Sequence, residues 1–173
     1  VKKYLDDEAA LGARHVTLLG GEPSIQEIFP KTIEYAKKIG YKICIATNGS
    51  AFVSSEFAKK YVPKLDEIIV SVHGHNNNVL DKITRRKNSY TKLERALGNI
   101  VRNFKGEVLK TNTVIMGLNH EYLFDIVKAI HNIGVKEIDL SAMDLYRDHE
   151  MDKLYNCLGE ISDFSCIVNV LSE

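Results

Sequence analysis

Cysteine is scarce in this 173-residue chain: there are three, at positions 44, 157 and 166, with no Cys-x2-Cys pair and no even set for a disulfide framework. A reducing, cytoplasmic setting is the expectation. Excess charge of either sign is also missing, since 23 Lys and Arg balance 23 Asp and Glu. That balance argues against a nucleic-acid binder relying on bulk positive charge, because such binding is dominated by phosphate neutralisation. No apolar run reaches the roughly 18 residues that read as a bilayer span, so no membrane partner is expected. The polar opening, Val1-Lys2-Lys3-Tyr4-Leu5-Asp6-Asp7, is unlike a signal peptide, and its first residue is not Met. Linkers rich in Pro or Ser are missing. So are Gly-x-Gly-x-x-Gly and Walker patterns, which weakens the reading of an ordinary phosphate-binding barrel.

What is present is enough apolar content, 45% of residues, to bury a sizeable core. Short β-branched runs at His15–Leu19, Lys42–Thr47, Ile68–Val72, Glu107–Ile115 and Glu137–Ser141 read as strands, with Cys166–Leu171 as a weaker sixth. They recur at steps of about 30 residues, the length of a strand–helix unit. Between them lie apolar stripes at helical spacing. One is Ile25, Ile28, Phe29, Ile33 and Ala36, with Ser24 and Glu27 set as a capping box and Gly40 as the stop. A second is Leu93, Leu97, Ile100, Val101 and Phe104. A third is Leu123, Ile126, Val127, Ile130 and Ile133, with Asn119 as N-cap and Gly134 just past the end. Met151, Leu154, Leu158 and Ile161 make a last helix, and Tyr4, Leu5, Ala9 and Leu11 place a helix already at residue 1. The alternation predicts one α/β domain over residues 1–173 with a parallel sheet, either a barrel or an open doubly wound sheet.

In both architectures ligands gather at the carboxyl ends of the strands. After the first strand stands Gly20-Gly21-Glu22-Pro23. Two glycines let the backbone approach a ligand without a Cβ, Glu22 can accept from an ammonium, and Pro23 fixes the chain before the helix. The plain alternative is a tight turn with an exposed acid. After the second strand stands Thr47-Asn48-Gly49-Ser50. Asn-Gly ordinarily signals a hairpin. Here the residues from Ser54 to Tyr61, closed by Pro63, read as a helix, so a strand-end turn presenting Thr47 or Asn48 fits better.

The third strand ends in Ser71-Val72-His73-Gly74-His75. Period two puts Ile69, Ser71 and His73 on one face and Ile68, Val70 and Val72 on the other. No third ligand accompanies His73 and His75 at a helpful spacing, so no metal site is expected from them. Asn76-Asn77-Asn78 reads as a solvated loop, and Arg85, Arg86 and Lys87 as a solvated face rather than a substrate grip. On the fourth strand Lys110 and Asn112 share a face. A rim Lys with a packed stem is the simple reading of the first, whereas an Asn in mid-strand needs hydrogen bonds.

In this order the strings Gly-Gly-Glu-Pro, Thr-Asn-Gly, Ser-Val-His-Gly and Lys-Thr-Asn-Thr-Val-Ile resemble the radical S-adenosylmethionine (radical SAM) enzyme superfamily, over about residues 13–143. The resemblance implies a partial (β/α)6 barrel binding S-adenosylmethionine beside a [4Fe–4S] cluster. It implies that Gly20, Gly21, Glu22 and Pro23 hold the methionine amino group and that Thr47 and Asn48 lie near the cofactor. It further implies that Ser71 contacts its ribose or carboxylate, with His73, Lys110 and Asn112 also at the ligand. In such enzymes an electron from a low-potential donor cleaves a C–S bond of the cofactor, and the resulting 5′-deoxyadenosyl radical abstracts hydrogen from a substrate. A peptide or small molecule fits the neutral charge better than a nucleic acid.

The chain departs from that family at one point: the cluster pattern Cys-x3-Cys-x2-Cys is absent. Cys44, between Ile43 and Ile45, reads as a small buried hydrophobe. Cys157 and Cys166 cannot supply the pattern. The cluster ligands are therefore expected upstream of residue 1, as in a barrel incomplete at its N-terminus, and the chain alone is expected to be inactive. The alternative is a non-catalytic α/β module holding a nucleotide-like ligand at the same strand ends. The tail from Arg147 onward offers no motif for the substrate.

Overall fold

A computed structural model describes residues 1–142 of the chain. Its helices are α1 (Lys2–Ala10), α2 (Phe29–Lys38), α3 (Ser55–Tyr61), α4 (Asn77–Thr84), α5 (Ser89–Asn103) and α6 (Leu123–Ile133). Its strands are β1 (His15–Leu18), β2 (Lys42–Thr47), β3 (Glu67–Ser71), β4 (Val108–Ile115) and β5 (Glu137–Ala142). The five parallel strands alternate with helices and follow chain order, β1-β2-β3-β4-β5. The expected strand at Cys166–Leu171 and the helix around Met151–Ile161 lie outside the described residues. The described residues form two compact units: Val1–Ser71 with Lys92–Lys110, and Val72–Thr91 with residues 111–142.

In the first unit, β1 and β2 pair with His15 opposite Lys42, and β2 and β3 pair with Cys44 opposite Glu67. Ile43, Ile45, Ile68 and Val70 are fully buried, as the β-branched runs require. On α2 the stripe Phe29, Ile33 and Ala36 is buried, and Gly40 follows with φ +87°. Phe29, Phe52, Phe57 and Tyr61 pack ring against ring, with centroids 4.6–5.9 Å apart. The base of the sheet is locked by Asp66, whose carboxylate takes Lys37 Nζ at 2.8 Å and the Ile43 N–H at 2.7 Å.

One local expectation is corrected here, and another holds. The Ser24–Glu27 capping box does not form, and α2 begins only at Phe29. The Ser24 hydroxyl is turned toward Glu22, to which it donates, and a short 3-10 turn (Pro23–Ile25) intervenes before the helix. Ile25 and Ile28 consequently stand outside the core, 60% and 51% exposed. The Asn-Gly turn does lead to a helix: Gly49 takes φ +83°, and Ser54 Oγ caps α3 by accepting from the Phe57 N–H at 3.3 Å.

In the second unit, the Val72 N–H donates to the Asn112 carbonyl at 3.0 Å and Thr113 Oγ1 donates to the Val72 carbonyl at 2.6 Å. Thr111, Thr113 and Ile115 are buried while Asn112 and Val114 are half-buried, the alternation expected of a strand. Leu123, Ile126 and Ile130 bury the inner face of α6, which ends at Gly134 with φ +107°. Asn119 does not cap α6, which starts at Leu123 after a 3-10 turn (His120–Tyr122). Nor is Asn76-Asn77-Asn78 a plain loop. Asn76 Oδ1 caps α4 through the Val79 N–H at 3.0 Å, and Asn77 bonds Thr91 through both ends of its amide.

Candidate functional site

The motif after β1 and the motif after β2 meet in one hydrogen-bonded knot in the first unit. Glu22 is only 6% exposed. Its Oε1 accepts from the Ser24 N–H at 3.1 Å, from Ser24 Oγ at 2.5 Å and from Thr47 Oγ1 at 2.7 Å. Its Oε2 accepts from the Asn48 N–H at 2.6 Å. Thr47 Oγ1 in turn accepts from the Gly49 N–H at 3.0 Å, so the hydroxyl both gives and receives. A buried carboxylate needs this many donors, because an unpaired charge away from water is costly. Ser24 was not among the residues the sequence singled out as part of a site. The clue was a hydroxyl two places after the acid, a spacing at which a carboxylate reaches the backbone N–H ahead of it.

The knot turns the Glu22 side chain inward and leaves other groups outside. Gly20 and Gly21 are exposed, with φ +88° and +53°, and a Cβ built on either would meet nothing within 4 Å. Only glycine adopts two successive residues of this kind without strain. Pro23 opens the short turn that follows. Asn48 is exposed, and its Oδ1 accepts from the Ser50 N–H at 2.9 Å. Ser71 is half-buried, on the same strand face as Ile69. Lys110 is half-buried, and its charge favours the thiolate of Cys44. Burial nonetheless dominates there and, with Glu67 nearby, pushes the Cys44 thiol up. Cys44 is buried and inert, in keeping with its setting between two isoleucines.

In the second unit, His73 Nδ1 accepts from the Val114 N–H at 3.2 Å, and burial pushes the imidazole pKa down, favouring the neutral ring. Asn112 Oδ1 accepts from Ser141 Oγ at 3.1 Å. His75 contacts Asn76 Nδ2 through Nε2, and its ring lies tilted against Tyr122 with centroids 5.4 Å apart. Among the described residues no three His, Cys, Asp or Glu converge on a metal position. Arg85, Arg86 and Lys87 are exposed on the turn between α4 and α5, which Asp81 closes by accepting from the Asn88 and Ser89 N–H groups.

The Radical SAM superfamily model matches residues 1–153. The chain belongs to the radical SAM superfamily. It is 30% identical to the GTP 3',8-cyclase of Aquifex aeolicus over 156 residues, covering 88% of the chain and 48% of that enzyme. It is 35% identical over 119 residues to the S-adenosylmethionine-dependent nucleotide dehydratase of Lacinutrix mariniflava, covering 65% of the chain and 24% of that protein. The radical SAM chain spans less than half the length of these curated relatives. Among solved structures it superposes on TYW1 with a lysine-pyruvate adduct bound, with TM-score 0.66 and 19% identity over 92% of this chain and 55% of that one. That likeness is one of fold, and it agrees with the α/β class expected for a radical SAM core.

Gly20 and Gly21 present an open backbone face, with Asn48 exposed in the same unit, and no side chain fills the space where a ligand would lie against them. No set of three ligands for an iron–sulfur cluster occurs among the described residues, where Cys44 is the one thiol and is buried. Also among the described residues, no helix is long and apolar enough to cross a membrane.

Proposed function

We propose that the first unit is a cradle for S-adenosylmethionine within a radical SAM enzyme. The observation that carries this reading is the Glu22 knot, which holds the Gly20–Gly21 backbone open at the end of β1. In this role Glu22 and Thr47 brace the loop, while the Gly20 and Gly21 backbone, Pro23 and Asn48 face the ligand. Ser71, the last residue of β3, and Lys110, the third residue of β4, are assigned to the polar parts of the same ligand on the family resemblance. His73 and Asn112 in the second unit are assigned as ligand contacts on the family resemblance. When bound, S-adenosylmethionine supplies the superfamily's hydrogen-abstracting chemistry; the chain's own residues bind it and orient it. The names of the relatives, a GTP cyclase and a nucleotide dehydratase, favour a nucleotide as substrate.

Equilibrium dialysis of the intact protein against S-adenosylmethionine tests the cradle. Saturable binding is expected, weakened at least tenfold, about 1.4 kcal/mol, by Gly21→Val, which fills the open face. A protein that binds GTP but not S-adenosylmethionine would overturn the reading in favour of a nucleotide-holding module without radical chemistry.

A further inference from the structure

Asn119 is a polar residue with no exposed surface, in the turn four residues past the end of β4 in the second unit. Its Oδ1 accepts from the Met116 N–H at 2.8 Å, and its Nδ2 donates to the carbonyls of Val114 at 2.9 Å and His73 at 3.1 Å. A buried amide so fully paired is a rigid bracket, since each of its bonds would be costly to leave unmade. What it brackets is His73. The carbonyl of that residue is fixed by Asn119, its Nδ1 by the Val114 N–H at 3.2 Å, and the carbonyl just before it by Thr113. An Nδ1 that accepts cannot carry the ring proton, so the neutral imidazole holds it on Nε2. His73 is half-buried, and Nε2 has no partner among the described residues.

We propose that Asn119 is a positioning residue which, through the end of β4, holds His73 as a single Nε2–H donor for an uncharged acceptor atom of the bound ligand, such as a hydroxyl or a ring nitrogen of a nucleoside. Burial supports this by keeping the ring neutral, so that it donates without adding charge. The donor is useful only if it is pre-oriented, because an imidazole free to exchange tautomers presents an acceptor part of the time. That His73 meets a ligand, and that the ligand is nucleoside-like, rest on the function proposed above; the tautomer and the bracing by Asn119 do not.

Nitrogen-detected NMR of the intact protein, labelled at histidine, reads the ring directly. The wild type is expected to show His73 with Nδ1 unprotonated and Nε2 protonated. Asn119→Asp keeps the acceptor for Met116 and loses both donated bonds; it is expected to give a tautomer mixture at His73. A protonated Nδ1 in the wild type, or an unchanged tautomer in a folded Asn119→Asp protein, overturns the proposal. His73→Gln, which keeps an N–H donor, is expected to retain S-adenosylmethionine or GTP affinity within about threefold, while His73→Phe loses about tenfold. Equal loss in both removes the donor role, and should Asn119→Asp not fold, this pair decides alone. Failure of all S-adenosylmethionine and GTP binding with the wild-type tautomer as expected would instead refute the ligand assignment.

Discussion

Replacing Glu22 by Ala removes the acceptor at the centre of the knot. Four donors lose their partner: the Ser24 N–H and hydroxyl, the Thr47 hydroxyl and the Asn48 N–H. The two hydroxyls can rotate, and Asn48 is exposed enough for water to reach its N–H. The Ser24 N–H has neither escape, since Ser24 is 2% exposed. An unsatisfied buried donor costs about 1–3 kcal/mol, and the lost charge-assisted bonds and packing bring the total to about 3 kcal/mol. Urea unfolding reads this as a fall in midpoint of about 1.5 M at unchanged slope, for a slope of about 2 kcal/mol per M. Glu22→Gln should lose only about 1 kcal/mol, because its amide oxygen in the place of Oε1 still accepts from the Ser24 N–H and the hydroxyls, and its NH2 faces only the exposed Asn48. An alanine variant whose midpoint stays within about 0.2 M of wild type would refute the bracing role.

Thr47→Val, nearly isosteric, removes both the bond to Glu22 and the one from Gly49; a loss of about 1–2 kcal/mol in the same unfolding assay is expected. For Asp66, burial raises the pKa, but Lys37, the Ile43 N–H and Lys42 outweigh it and hold the carboxyl below its ordinary value of 3.8. A depressed carboxylate stabilises the fold above its unfolded pKa, and that stability is lost as pH falls through the folded value. Stability measured down an acid series should therefore decline across that range in the wild type and be flatter in Asp66→Asn, with about 1–2 kcal/mol less at neutral pH. Anaerobic incubation of the 173-residue chain with iron and sulfide should yield no stoichiometric [4Fe–4S] spectrum, because the Cys-x3-Cys-x2-Cys pattern is absent from it. A full cluster would contradict that.

Much of this was legible in the residues. β2 falls where its Ile-Cys-Ile run put it, and β3 is shifted by one residue, starting at Glu67 and ending at Ser71. Period two sorted Ile68, Val70 and Val72 into the core and left Ile69, Ser71 and His73 on the other face. Turn chemistry at Gly40 and Gly134 was equally plain, since both take the left-handed backbone their positions call for. What stayed hidden depends on partners distant in the chain. Glu22 and Thr47 are 25 residues apart, and nothing local shows that one accepts from the other. Asn119 looks like a helix cap by its neighbours, yet its amide is spent on His73, Val114 and Met116. Ser24 made a plausible capping box for the same reason: the competing acceptor was two residues back, on a side chain whose orientation β2 decides.

The central claim is that the strand ends of the first unit hold S-adenosylmethionine, and backbone amide NMR of the intact protein titrated with that cofactor tests it most directly. The account predicts saturable shifts at Gly20, Gly21, Glu22, Asn48 and Gly49. Shifts confined to other regions, or none at millimolar cofactor, would contradict it.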